Sequence, residues 1–271
     1  MHILAKSDIG LVRKRNEDFF VIASEHNLVV LCDGMGGHPG GDLASRMTAE
    51  EVQRSVAAGP GAEKPSGNIE EHQALMPFIG LIRGVFSADQ QLRAYGRRNL
   101  QYQGMGTTLA AIQEQAGTLC AVHVGDSRIY RFRGGSLTQI TEDHSVVATL
   151  PESARASFAG MRNILTRAVG VGEDLEVDFT LLAATAGDVF LLCSDGLHNF
   201  VTEERIAEVL GSTVDRAGCL QTLVSDANEG GGGDNITLAI AWIERSAPQP
   251  IARMSGAVWG NGSSLNVHLQ P

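Results

Sequence analysis

The chain has 271 residues, with 21 Lys and Arg against 31 Asp and Glu, a formal net charge of −10, and 43% hydrophobic residues. That size suits one large domain or two small ones with ample core. The acidic balance argues against a nucleic-acid groove, which needs a basic stripe, but it leaves an anionic substrate open because bound cations reverse a local field.

Met1 to Gly10 lacks the apolar core of a signal peptide, and no run approaches the roughly 20 apolar residues of a membrane span. The charged stretch Arg13 to Asp18 precedes the apolar Phe19-Phe20-Val21-Ile22 and, taken alone, reads as a solvated loop with local ion pairs. Val29 to Cys32 is an apolar run too short for most helices. It ends in Asp33-Gly34-Met35-Gly36-Gly37-His38, the pattern of a buried strand that delivers a carboxylate where backbone also comes close. Gly40 to Ala58 reads as a helix with Leu43, Met47, Val52 and Val56 on one face, and the Gly- and Pro-rich 59–68 as a surface loop. Leu75, Phe78, Ile79, Ile82 and Phe86 repeat at helical spacing, with Pro77 at home in a first turn.

Strand patterns then dominate. Gly104-Met105-Gly106-Thr107-Thr108 opens one, Leu119 to Val124 is another, and Ile129 to Phe132 alternates like a hairpin arm before Gly134-Gly135 and Leu137 to Ile140. Tight turns between these strands argue for an antiparallel sheet. The less regular 141–172 contains Asp143-His144-Ser145 and Leu165-Thr166-Arg167-Ala168 and is expected to be a mobile segment near the site. Strands resume at Leu175 to Leu182 and Asp188 to Cys193. Thr202 caps a helix that Gly211 ends, Asp215 to Glu229 is a further helix, and a closing strand runs to Ile243. Ser246 to Pro271, rich in Gly, Ser, Asn and Pro, reads as a flexible tail. The four cysteines are far apart, without the CxxC spacing of a zinc site. Cys32, Cys120 and Cys193 lie in apolar runs and read as buried, reduced thiols of a cytoplasmic protein.

Four of the aspartates stand beside apolar runs: Asp33, Asp126 in Gly125-Asp126, Asp195 in Ser194-Asp195-Gly196, and Asp234 in Gly233-Asp234-Asn235. Each alone is an ordinary turn residue. Brought to one point they would repel each other and could not all ionise unaided. Hard divalent cations resolve this, and an all-oxygen ligand set favours Mg²⁺ or Mn²⁺ over zinc. Two such ions sharing a carboxylate suit hydrolysis of phosphate esters, with Arg13 as a planar donor for phosphate oxygens.

The series Asp8-Ile9-Gly10 with Arg13 and Asn16-Glu17-Asp18, Asp33-Gly34-Met35-Gly36-Gly37-His38, Gly104-Met105-Gly106-Thr107-Thr108, Gly125-Asp126-Ser127-Arg128, Asp143-His144-Ser145, Leu165-Thr166-Arg167-Ala168, Ser194-Asp195-Gly196-Leu197 and Gly233-Asp234-Asn235 resembles the metal-dependent Ser/Thr protein phosphatases of type 2C, the short bacterial members most. The match runs from about Lys6 to Ile243. The resemblance implies an α+β fold, an antiparallel β-sandwich flanked on both outer faces by antiparallel α-helices, with a catalytic domain over 1–245 and the tail over 246–271. It implies a phosphatase that hydrolyses phosphoserine and phosphothreonine in one in-line step using a metal-bridging water, with Mn²⁺ or Mg²⁺ as two ions and room for a third. Its partners would be phosphoproteins and a Ser/Thr kinase, and it would work as a monomer without nucleic acid or membrane.

The resemblance also implies roles. Asp33 would bridge the metals, Asp195 and Asp234 would complete the first, and the Gly34 carbonyl and Glu17, through water, would serve the second. Asp18 would stand behind them, Asp126 with Asp195 would hold a third, weaker ion, and Arg13 would bind phosphate. The chain departs from the family in two places. Eukaryotic members carry a histidine after the Asp-Gly, where this chain has Met35, and His38 is read as a loop residue without that role. The segment between Ser145 and Asn163 is short for a bacterial flap. His2, His26, His72, His123, His144, His198 and His268 receive structural or surface readings. Two other classes were weighed: a phosphatase-like binding module, which would have lost carboxylates, and a nucleotide enzyme built on 34–41, which lacks Gly-Lys-Ser/Thr.

Overall fold

In chain order the elements are β1 (His2–Asp8), β2 (Asp18–Ala23), β3 (Leu28–Asp33), α1 (Gly41–Ala57), α2 (Ile79–Arg98), β4 (Leu109–Gln115), β5 (Thr118–Val124), β6 (Arg128–Arg133), β7 (Ser136–Gln139), α3 (Glu152–Arg155), β8 (Glu176–Ala183), β9 (Val189–Cys193), α4 (Asp195–His198), α5 (Glu203–Ser212), α6 (Arg216–Glu229), β10 (Ile236–Trp242), β11 (Met254–Gly260) and β12 (Leu265–Leu269). The structure, a computed structural model, describes residues 1–35, 40–59, 73–161, 163–212, 215–245, 253–260 and 265–270. The expectations for His38 and His72 and for most of the 59–68 loop fall outside these residues.

Among the described residues the strands form a five-stranded sheet, β1-β10-β9-β6-β7, and a seven-stranded sheet, β12-β11-β8-β5-β4-β3-β2, with antiparallel pairing between neighbours. The apolar runs are continuous because both faces of their strands are covered. On β3, Leu28, Val30 and Cys32 pack with Val52 of α1 and Ile79 and Ile82 of α2. Val29 and Leu31 point the other way and meet Ile129, Phe190 and Leu192 of the other sheet. On β9 the same alternation sends Leu191 and Cys193 toward Ile206 of α5 and Leu223 of α6. Each fully buried Leu or Ile of this kind contributes about 1.5–3 kcal/mol. The expected four layers, helix, sheet, sheet, helix, are therefore present.

Helix ends follow local chemistry. The Arg205 N–H donates to Thr202 Oγ1 (3.3 Å), and the Ala217 N–H donates to Asp215 Oδ1 (3.1 Å) at the start of α6. All four cysteines are buried and free. No helix among the described residues is long and apolar enough to cross a membrane.

The reading of 246–271 as a flexible tail needs correction. Residues 254–260 and 265–269 are strands, and β11 pairs with β8 from Met254 opposite Leu181 to Trp259 opposite Glu176. The Gly and Ser content of the segment masks an alternation in which Val258, Leu265 and Val267 are buried. These side chains join the α1–α2 side of the core, and β11 covers what would otherwise be an open strand edge at β8.

Candidate active site

Strand ends from both sheets supply the acids. Asp33 closes β3, and Asp18 opens β2 directly across the ladder from it. Asp126 sits in the β5–β6 connection, Asp195 begins α4 just after β9, and Asp234 lies two residues before β10. Arg13, Glu17, Asp33, Gly34, Asp126, Asp195 and Asp234, all the candidate residues read from the sequence, line one cavity of about 150 Å³.

The backbone around Asp33 is pinned by the Gly104-Met105-Gly106-Thr107-Thr108 segment. The Asp33 N–H donates to Thr108 Oγ1 (3.0 Å), the Thr107 hydroxyl donates to the Asp33 carbonyl (2.7 Å), and the Met35 N–H donates to the Gly106 carbonyl (3.0 Å). Glycine is required at position 34. A Cβ there would come within 2.2 Å of the Gly41 carbonyl oxygen and 2.7 Å of the Glu17 carbonyl oxygen. The Arg13 loop is exposed, as expected, but its backbone is clamped. Asn235 accepts the Glu17 N–H (2.9 Å) and donates its amide to the Ile9 (3.0 Å) and Arg15 (2.9 Å) carbonyls, while the Leu11 N–H donates to the Gly232 carbonyl (2.8 Å). Arg13 Nη2 reaches Asp234 Oδ2 at 2.7 Å, a charge-assisted bond across 221 positions of sequence.

The electrostatics are those of too many anions in too little water. Burial, then Asp18, Asp195, Asp126 and Asp234, push the Asp33 carboxyl well above its ordinary range. Asp18 is pushed up to about 7 and Asp195 to about 6, with burial first in both cases and hydrogen-bonding contact to Asp33 opposing it. Asp126 rises to about 7 through burial and then the Asp195 charge. Glu17 also rises, mainly by burial. The partners do not absorb this charge. Asp18 Oδ2 accepts the Ser194 hydroxyl (2.9 Å) and Asp195 Oδ2 the Asn199 amide (3.2 Å), but Asp18 Oδ1 and Asp195 Oδ1 are buried without a hydrogen-bond donor. Buried, orphaned carboxylate oxygens at a small cavity rich in carboxylates are what hard divalent cations require.

Sequence reasoning underrated two residues. Asn235 holds the Arg13 loop to the Asp234 loop, and its signal was the Asp-Asn pair itself. Asp18, placed behind the metal ligands, contributes one of the two orphaned oxygens. The 141–172 segment brings Asn163 and Leu165 to the cavity wall.

A second polar cluster lies on the other side of the β5–β6 turn. One ligand atom each from His123, His144 and Asp178 lie within 4.8 Å of one another. The Gly125 N–H donates to His144 Nδ1 (3.1 Å), which leaves Nε2 as the donor to Asp178 Oδ2 (3.2 Å). Arg167 donates to Asp178 Oδ1 (2.8 Å), and His123 Nε2 donates to the Glu142 carbonyl (2.8 Å). Burial brings the His123 pKa down to about 4.

The fold is an antiparallel sandwich between helix layers, with clustered aspartates and an arginine at its strand ends. The profile of the protein phosphatase 2C family matches residues 13–222, and the chain belongs to that family. The serine/threonine protein phosphatase PstP of Mycobacterium tuberculosis is 35% identical over 271 residues, covering 97% of this chain and 49% of PstP, so the chain spans about half the length of that relative. Protein phosphatase PhpP of Streptococcus pneumoniae is 32% identical over 250 residues, covering 89% of this chain and 96% of PhpP. The solved catalytic domain of PstP in complex with two manganese ions superposes with a TM-score of 0.75 at 35% identity, covering 90% of this chain and 98% of that one.

Proposed function

We propose that the chain is a Mn²⁺- or Mg²⁺-dependent phosphatase of phosphoserine and phosphothreonine in proteins. It would act as a cytoplasmic monomer opposite a Ser/Thr kinase, with residues 1–245 carrying the chemistry. The observation that carries this reading is the convergence of Asp33, Asp126, Asp195, Asp234 and Arg13 on one cavity, with an orphaned carboxylate oxygen on Asp195 in its wall and another on Asp18 behind it. Asp33, centrally placed among the other acids, suits a ligand shared by two ions. Asp195 and Asp234 suit the first ion, Gly34 and Glu17 the second, and Asp126 with Asp195 a third. When bound, such ions lower the pKa of water and neutralise charge that develops on a transferring phosphoryl group.

The chain's own residues do the rest. Arg13 offers its guanidinium to the non-bridging phosphate oxygens, and Asn235 fixes the loop that carries it. Thr107 and Thr108 hold the Asp33–Met35 backbone against the charge repulsion of the site. Met35 stands where a proton donor would stand in eukaryotic relatives and cannot donate a proton itself, so the leaving alkoxide must take its proton from another group or from water.

The test is hydrolysis of a phosphothreonine peptide and of p-nitrophenyl phosphate with Mn²⁺, and again with excess EDTA. Turnover that requires Mn²⁺ is expected. Turnover indifferent to the chelator would refute the metal mechanism, and complete inertness with Mn²⁺ would favour a binding module.

A further inference from the structure

The acid cavity has a neighbour. A cavity of about 220 Å³ is walled by Met35, Leu165, Ala168, Val171 and Leu175. Met35 and Leu165 line both spaces and form the wall between them. Met35 and Val171 meet over bare backbone at Gly106, where a Cβ would come within 2.5 Å of Val171 Cγ2 and 3.0 Å of Met35 Sδ. Val171 is 39% exposed, and Ile164, beside Leu165, is 50% exposed. Val171 and Ile164 thus leave aliphatic side chains in water next to a charged site, and the phosphoryl chemistry has no use for them.

We propose that this cavity selects substrates, taking an aliphatic side chain one or two residues away from the phosphoresidue held in the acid cavity. The inference rests on the phosphatase reading given above. A peptide whose phosphate reaches Arg13 must cross the Met35–Leu165 wall, and at about 3.8 Å per residue the adjacent positions are those that reach the second cavity. Its rim rejects acids. The Arg167 guanidinium is already paired with Asp178 (2.8 Å) and Glu176 (3.3 Å), and Asp174 adds negative charge. A further cavity, of about 410 Å³, shares Asp126 with the acid site and is lined by Arg128, Asp143, Arg155 and His198 together with Val147 and Ala148. The aliphatic preference is assigned to the Met35–Leu165 side.

The experiment uses the full chain with Mn²⁺ and phosphothreonine peptides of one sequence, varied to Leu, Ala or Asp at each of the two positions before and after the phosphoresidue. At one of these positions kcat/KM is expected to rise by about fivefold to tenfold for Leu over Ala, the scale of filling an apolar pocket, and to fall below Ala for Asp. Val171→Asp should leave p-nitrophenyl phosphate turnover unchanged and remove the Leu advantage, and Val171→Ala should shrink it. A wild-type enzyme indifferent to Leu at all four positions would overturn the proposal. So would a Val171→Asp loss shared equally by every peptide and by p-nitrophenyl phosphate. A chain inert on all substrates would overturn the phosphatase reading, and this one with it.

Discussion

Gly125 and Asp126 are neighbours in one turn, yet they face two polar clusters that solve opposite problems. Asp126 faces the acid cavity, where burial drives several carboxyls upward and two oxygens find no donor. The Gly125 N–H faces His144, part of a cluster in which a cation is already supplied. Arg167 sits against Asp178, and although burial opposes it, the His144 and Arg167 partners hold the Asp178 carboxyl below its ordinary range. By residue type alone, two histidines and an aspartate look more like a metal site than four aspartates do. The comparison teaches that unbalanced charge and orphaned oxygens mark a cation site more reliably than ligand identity. A complete set of partners marks a structural knot.

The comparison is broken most severely by removing the central acid. Asp33→Ala should cut phosphatase turnover by at least about a thousandfold, the scale of losing a charge-stabilising group in a water-poor site. Far-UV circular dichroism should remain unchanged, because Asp33 relieves no strain in the metal-free fold. Asp33→Asn should melt higher than wild type in EDTA, since it removes a charge that its neighbours oppose.

Arg13→Gln sharpens the account at a smaller scale. The Arg13–Asp234 bond makes the guanidinium a competitor for a metal-ligating carboxylate. Inorganic phosphate inhibition should weaken by roughly 2–3 kcal/mol, the value of a charge-assisted contact. Mn²⁺ measured by titration calorimetry without phosphate should bind more tightly, not less.

The second cluster should answer differently. Asp178→Asn should lose about 1–3 kcal/mol in urea unfolding, because it leaves Arg167 and His144 short of a partner at the sheet. Its p-nitrophenyl phosphate turnover should stay within a few fold of wild type.

How much of this was legible in the sequence varies by element, for physical reasons. The acids at 33, 126, 195 and 234 are each ordinary turn residues alone; they could be read because they occur together in an order that resembles the family, and the layered topology came with that resemblance. The Arg13 loop could be placed only by resemblance. Its clamp, Asn235, is 222 positions away from it, and the Asp-Asn pair that marks it does not say which loop it holds. The β11–β12 hairpin was missed because glycines and serines diluted a period-two signal whose partner, β8, lies more than 70 residues earlier. His144 has a structural or surface reading from the sequence, and its pairing with Asp178 and Arg167 is a tertiary fact that spacing does not encode.

A further effect is on pH. In metal-free protein the folded-state pKa values of Asp18, Asp126 and Asp195, about 7, 7 and 6, stand above the unfolded carboxyl near 4. A carboxyl raised on folding favours the fold below its unfolded pKa, and that contribution is lost as pH climbs through the folded value. Thermal unfolding in EDTA should therefore move to lower temperature between about pH 5 and 8. Mn²⁺ should restore more stability at pH 8 than at pH 5, because binding displaces protons.

The central claim is that the acid cavity, and not the histidine cluster, holds the divalent cations. Titration calorimetry of chelator-stripped protein with Mn²⁺ tests it most directly, run on the wild type, Asp33→Ala and His144→Gln. The account expects two tight ions in the wild type, loss of tight binding in Asp33→Ala, and both ions retained in His144→Gln. Tight binding that survives in Asp33→Ala and disappears in His144→Gln would contradict it.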